Sequence, residues 1–185
     1  MDRKQIARVA KLSVASSAAI VLHLAVHSTC LAIEDEQMLS VGPSYLAIDS
    51  LSFDGNSRRT HGMALLSDYQ RALDDTLWLR ATLGGGAIVP QDGTGWCALG
   101  SIALVYSFDT KILRLVPQLS ASAGVVAVWG SSIATNTNPY LGVGIGFKVL
   151  QTRTFSWGLE VSYAYLGGKD YFMAGPSFSY HWAYF

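Results

Sequence analysis

The sequence predicts an all-β fold: an eight-stranded, antiparallel, up-and-down transmembrane β-barrel after a cleaved signal peptide. Three observations carry that expectation. The chain closes on Phe178, Tyr180, Trp182 and Tyr184, an aromatic residue at every second position, followed by Phe185. Alternate side chains of a strand share one face, so these rings form one apolar stripe, and a bilayer is the simplest cover for it. Upstream, short segments of alternating bulky and small residues recur between turn-forming residues. At the other end, residues 1–32 have the layout of an export signal.

That signal starts with Arg3, Lys4, Arg8 and Lys11 against a single Asp2. The uncharged apolar run Leu12 to Val26 follows, then Cys30-Leu31-Ala32 with small residues at its outer positions. Basic region, short apolar core and small-x-small site make a secretory signal peptide with cleavage after Ala32. Two rivals are weaker. A lipidated Cys30 has a poor lead-in in His27-Ser28-Thr29, and an apolar run of about 15 residues is short for a helical span of roughly 20. The expected division is therefore a signal peptide over 1–32 and one barrel domain over 33–185.

The first expected strand covers Gly42 to Phe53, and Asp54 to Arg59 is a polar loop. The second runs from His61 to Arg71, with Leu73-Asp74-Asp75 as a tight turn into the third, Thr76 to Val89. Pro90 to Gly95 is a loop. The fourth strand is Trp96 to Phe108, with Asp109-Thr110 as a two-residue turn, and the fifth is Lys111 to Trp129. Gly130 to Asn138 is the longest loop. The sixth strand is Pro139 to Leu150, and Thr152-Arg153-Thr154 is a tight turn. The seventh is Phe155 to Leu166, and Gly167 to Asp170 leads into the eighth, Tyr171 to Phe185. Longer loops alternate with tight turns, as expected for a barrel with short periplasmic turns and longer outer loops.

Polarity separates this barrel from a water-soluble one. The sixth strand sets Leu141, Val143, Ile145, Phe147 and Val149 against Gly142, Gly144, Gly146 and Lys148, and the seventh sets Phe155, Trp157, Leu159, Val161, Tyr163 and Tyr165 against Ser156, Gly158, Glu160, Ser162 and Ala164. A small closed barrel has little internal room, so the small and polar face belongs inside and the bulky face meets lipid. By parity the lumen then holds Asp49, Asp68, Arg80, Arg114, Lys148 and Glu160, three acids and three bases. Asp68 and Arg80 flank the tight 73–75 turn equally and are expected to meet. Matched charges are what a buried interior tolerates, so the set reads first as filler and second as a narrow ion path. Aromatics fall near strand ends, as two interfacial girdles require. Trp78 alone has inward parity, and a bulge that re-aims it is one explanation.

Composition excludes other functions. Residues 33–185 carry 9 basic and 12 acidic side chains, a formal charge of −3, and no basic patch for nucleic acid. Cys97 is their only cysteine, so no disulfide forms within them. Their histidines are His61, expected in an outer loop, and His181, near the periplasmic rim; two distant histidines make no metal site. Gly84-Gly85-Gly86 lacks the Lys-Ser/Thr and following helix of a phosphate loop. No cofactor is expected.

These residues resemble the eight-stranded outer-membrane barrels of the OmpA transmembrane domain and OmpX type. The likeness is carried by Tyr69 to Gly86, an aromatic-ended strand, an acidic turn and a Leu-alternating strand into glycines. Pro139 to Phe147 is similar to the family's Gly-alternating strand. The ending Gly175-x-x-Phe178-x-Tyr180, with Phe185, resembles the signal read by the barrel-insertion machinery, although Phe185 is out of phase with the stripe. The resemblance implies the outer membrane of a Gram-negative bacterium. It implies contact with outer-membrane lipid and lipopolysaccharide, and with periplasmic chaperones and the insertion machinery during assembly. It implies a non-enzymatic structural or surface-interaction role, with a small-solute channel as one alternative. Lipid A deacylases resemble the same architecture, and a second alternative is an acyl hydrolase using Ser179, His181 and Glu160. The reversed order of serine and histidine, and their inward parity, depart from that pattern.

Overall fold

A computed structural model describes residues 36–48, 60–74, 76–89, 94–108, 115–130, 136–150, 152, 154–166 and 169–183. Among them are eight strands: β1 (Glu36–Ile48), β2 (Thr60–Ala72), β3 (Leu77–Val89), β4 (Gly95–Ser107), β5 (Leu115–Gly130), β6 (Asn136–Leu150), β7 (Phe155–Leu166) and β8 (Lys169–Ala183). Each pairs antiparallel with the next, and β8 returns to β1, closing the barrel. Closure removes the sheet edges whose unpaired backbone groups lipid could not satisfy.

The wall is inside-out, as the alternation requires. Leu65, Leu141 and Ile145 are 59%, 70% and 65% exposed on the outer surface. Their inward neighbours are small or buried. At Gly144 an added Cβ would lie 2.5 Å from Ser120 Oγ and 2.9 Å from Glu160 Oε1. The inward glycines of β6 therefore make room for charged side chains from other strands.

Two hairpin registers differ from the sequence expectation. In β2–β3 the pairs are Gln70↔Arg80 and Asp68↔Thr82, so Asp68 does not face Arg80. The cause is local. The Asp74 carboxylate accepts hydrogen bonds from Thr76 N and Leu77 N, both at 2.7 Å, and from Thr76 Oγ1 at 2.9 Å. Thr76 is thereby held in the turn, and the register moves by two residues. In β4–β5, Ser107 pairs with Gln118 and Phe108 N donates to Pro117 O at 2.9 Å, so the connection is longer than a two-residue turn. Both shifts are even, so every inward residue stays inward. The β6–β7 turn has the expected register, with Leu150 opposite Ser156.

β1 begins at Glu36, six residues earlier than expected, and its even positions face inward, with Leu46 and Ile48 buried. That parity is opposite to the one that put Asp49 in the lumen; Asp49 itself lies outside the described residues. His61 lies in β2, one residue after its start, as the second expected strand has it and not in an outer loop. Trp78 sits in unbroken ladders with Ala72 and Val105, so no bulge re-aims it.

The interior has two layers. The end carrying the start of β1 and the end of β8 (the terminal end) and the middle hold polar and charged groups. The opposite end is packed with apolar side chains, including Leu46, Ile48, Ile88, Leu99, Val126 and Val128. Cys97 is buried among them. The sequence expectation of a lumen filled with small, polar and charged groups holds for the first layer and fails for the second.

Candidate functional site in the barrel lumen

Four of the six expected lumen charges fall on described residues, and all four point inward. Arg114, like Asp49, lies outside the described residues. Arg80 on β3 reaches across the lumen to Glu160 on β7, a strand that is not its neighbour. The guanidinium donates twice, from Nη1 to Glu160 Oε2 and from Nη2 to Oε1 at 2.7 Å. Ser120 Oγ on β5 adds a bond to Oε1 at 3.0 Å. Three strands thus converge on one carboxylate. This fork-to-carboxylate geometry is the strong form of an ion pair, and burial demands it, because an unpaired charge in the lumen costs several kcal/mol or more. Asp68 is hydrogen-bonded to Thr82, its partner across β2–β3, rather than to Arg80.

Lys148 lies closer to the terminal end. Its ammonium donates to Met38 Sδ at 3.0 Å and to Gln70 Oε1 at 3.3 Å. No carboxylate bonds it among the described residues.

At the terminal mouth, Ser156 on β7, His181 on β8 and Glu36 on β1 form a chain. Ser156 Oγ is 2.6 Å from His181 Nε2, and His181 Nδ1 is 2.8 Å from Glu36 Oε1. One strand-turn along, Ser40 Oγ and Ser179 Oγ meet at 2.8 Å across the β1–β8 seam. The hydrolase set read from the sequence is therefore not assembled. Ser179 is bonded to Ser40, Glu160 to Arg80, and His181 to two residues that the sequence did not connect with it. Glu36 lay outside every expected strand, so no sequence signal pointed to the contact. The distances within Ser156–His181–Glu36 suit proton transfer along a serine–histidine–carboxylate chain. Ser156 has no exposed surface, and the lumen cavity does not reach it, so no carbonyl can approach its hydroxyl in this arrangement.

That cavity, about 70 Å³, lies between the charged layer and the apolar layer, with Asp68, Arg80, Glu160, Ser101 and Ser120 among its lining. Arg80 Nε is buried and has no hydrogen-bond partner among the described residues. No cluster of three metal-ligating side chains occurs among the described residues.

On β8, Phe178 and Tyr180 face outward, 49% and 57% exposed. Tyr180 stacks on Trp182, which packs against Tyr69 of β2. Gly175 faces inward against β1, where a Cβ would lie 2.2 Å from Pro43 O. Phe185 lies outside the described residues.

No protein-family model matches the chain, and no curated protein sequence matches it either. Solved structures do. The Neisserial surface protein A superposes with a TM-score of 0.65 at 12% identity, over 78% of this chain and 96% of that one. The outer membrane protein OprG of Pseudomonas aeruginosa gives 0.58 at 10% identity, over 80% and 96%. The attachment invasion locus protein Ail of Yersinia pestis gives 0.52 at 15% identity, over 81% and 100%. At such identities the likeness is one of fold. Together with the closed barrel and its apolar outer wall, it shows that the chain has the fold of the small eight-stranded outer-membrane β-barrels.

Proposed function

We propose that residues 33–185 form an integral barrel of a Gram-negative outer membrane with a structural or surface-interaction role, and that residues 1–32 are its cleaved signal peptide. In this orientation the terminal end faces the periplasm and the apolar layer lies toward the outside. The observation that carries the reading is the filled lumen. Among the described residues a hydrogen-bonded charge layer sits beneath a packed apolar layer, and the Ser156 hydroxyl is fully buried. A dry apolar layer cannot hydrate a passing ion. The charged groups hold strands together across the interior. Asp68, Arg80, Lys148 and Glu160 are assigned to that network, and Asp49 and Arg114 are proposed to join it.

The partners of this reading are outer-membrane lipid and lipopolysaccharide along the wall. During assembly they are periplasmic chaperones and the insertion machinery, which would read Gly175, Phe178, Tyr180 and Phe185. Gly175 also has a packing reason of its own against Pro43. The test is reconstitution of the mature protein. Heat-modifiable gel migration, an absence of steady conductance in planar bilayers, and unchanged lipid A mass spectra after incubation are expected. Loss of an acyl chain from lipid A would replace the reading with the hydrolase.

A further inference from the structure

The barrel closes where β8 meets β1, and that seam is interrupted. Its register is constant, with Val41 opposite Phe178 and Tyr45 opposite Ala174, so no bulge intervenes. Between those pairs three rungs are missing, and Pro43 falls opposite Pro176. Proline has no N–H, so neither strand can donate there. A central stretch of about four residues, roughly 13 Å at strand rise, is thus held without ladder bonds. No other seam of the barrel shows such a break among the described residues.

The break also lies beside the lumen cavity. Pro43, Ser44, Gly175, Pro176 and Ser177 all line it, as does Arg80. Both prolines themselves face the outer surface. The backbones stay close across the gap: a Cβ on Gly42 would lie against Pro176 O and one on Gly175 against Pro43 O, as close as a Cβ on Gly86 would lie to Met63 O in the unbroken β2–β3 ladder. Toward the periplasmic end the ladder resumes from Val41–Phe178 to Glu36–Ala183, and the side-chain contacts Ser40–Ser179 and Glu36–His181 reinforce it.

We propose that the wall opens laterally between Pro43 and Pro176, as a window joining the lumen cavity to the bilayer. It rests on the reading of the outer wall as lipid-facing. The ladder on either side, Glu36 to Val41 and Tyr45 to Ile48, keeps the window shut, and between them the bonds that the two prolines cannot donate are absent. The cavity limits what passes to molecules of a few heavy atoms. A hydrogen-bond acceptor among them would find the unpartnered Arg80 Nε. The intact ladder on both sides, with the side-chain bonds toward the periplasm, confines opening to the centre, so the barrel stays closed at its rim.

Thiol labelling in lipid vesicles tests this with methyl iodide, a two-heavy-atom alkylating reagent that partitions into the bilayer, read by mass spectrometry. Ser177→Cys places a thiol on the lumen side of the window, and Ser101→Cys places one on the opposite wall of the same cavity. Ile145→Cys, facing outward, reports on the lipid-facing wall alone. The proposal expects Ser177→Cys to label about tenfold faster than Ser101→Cys, the scale of one to two missing backbone hydrogen bonds. Adding Pro43→Val with Pro176→Val restores two donors and should bring Ser177→Cys down to the Ser101→Cys rate. Adding Gly42→Ala, which forces the backbones apart, should raise it. Equal labelling of Ser177→Cys and Ser101→Cys, with Ile145→Cys labelled, overturns the window and leaves the membrane reading intact. An unlabelled Ile145→Cys overturns both. Where the proline variants do not fold, amide exchange of the wild-type protein decides. Residues 41–45 and 174–178 should exchange about tenfold faster than the paired stretch Leu83–Gly86 of β3, and equal protection refutes the window.

Discussion

Replacing Glu160 with Gln tests whether the cross-lumen ion pair holds the barrel together. The substitution keeps shape and one acceptor oxygen but leaves the Arg80 guanidinium, only 9% exposed, without its counter-charge. Removing one partner of a buried pair costs about 3–5 kcal/mol. Glu160 keeps 31% of its side-chain surface open, toward the lumen cavity, which places the expected loss near the lower end, about 3 kcal/mol. The double replacement Arg80→Met with Glu160→Met removes both charges and should restore most of that loss, because apolar substitutes for a whole buried pair are often neutral. The assay is equilibrium unfolding in guanidinium from lipid vesicles, followed by tryptophan fluorescence and gel migration. A Glu160→Gln cost below about 0.5 kcal/mol would refute the reasoning, because that is the range of an ordinary surface substitution. So would a double variant as unstable as the sum of its singles.

Three further outcomes follow from the same structure. Gly144→Ala pushes a methyl group against Ser120 Oγ and Glu160 Oε1; it should cost about 1–3 kcal/mol in the same unfolding assay, as overpacking does. Ile88→Ala with Val128→Ala thins the apolar layer, both residues being fully buried there, and should produce ion conductance in planar bilayers where the wild-type protein shows none. Asp74 lies in the β2–β3 turn, and three hydrogen bonds to its carboxylate, led by the Thr76 N–H, hold its pKa below the usual carboxylate value. A depressed pKa means that the fold favours the ionised form. The contribution is therefore present above the unfolded value of about 3.9 and is lost as pH falls through the folded one. Asp74→Ala should unfold at lower temperature than wild type at pH 7, and the gap should close as pH falls through the depressed pKa of the folded carboxylate.

Alternation made most of the wall legible. From Leu141 to Val149 of β6 and from Phe155 to Tyr165 of β7 every second residue is bulky and the others are glycine, alanine, serine or charged, so face, register and the bounds of β7 could all be read. Where alternation fails, the reading failed with it. Val125 to Trp129 and Ala87 to Val89 are apolar on both faces, the mark of a strand covered on both sides. That signal locates the apolar layer inside the barrel, although the polar half of the pattern had suggested a uniformly polar lumen. The Arg80–Glu160 pair was invisible for a different reason. Parity gives the face of a residue but not its partner across a closed lumen, and Asp74 moved the hairpin register by two residues. The Ser156–His181–Glu36 chain depends on β1 beginning at Glu36, in the stretch between the expected signal peptide and the first expected strand.

The central claim is that lipid, and not water, covers the odd-numbered residues of β6. Nitroxide labels placed singly at positions 141 to 149 of the reconstituted protein test it through their collision rates with oxygen and with a water-soluble nickel chelate. The account predicts high oxygen and low nickel collision at 141, 143, 145, 147 and 149, with low values of both at the positions between. High nickel collision at the odd positions would contradict it.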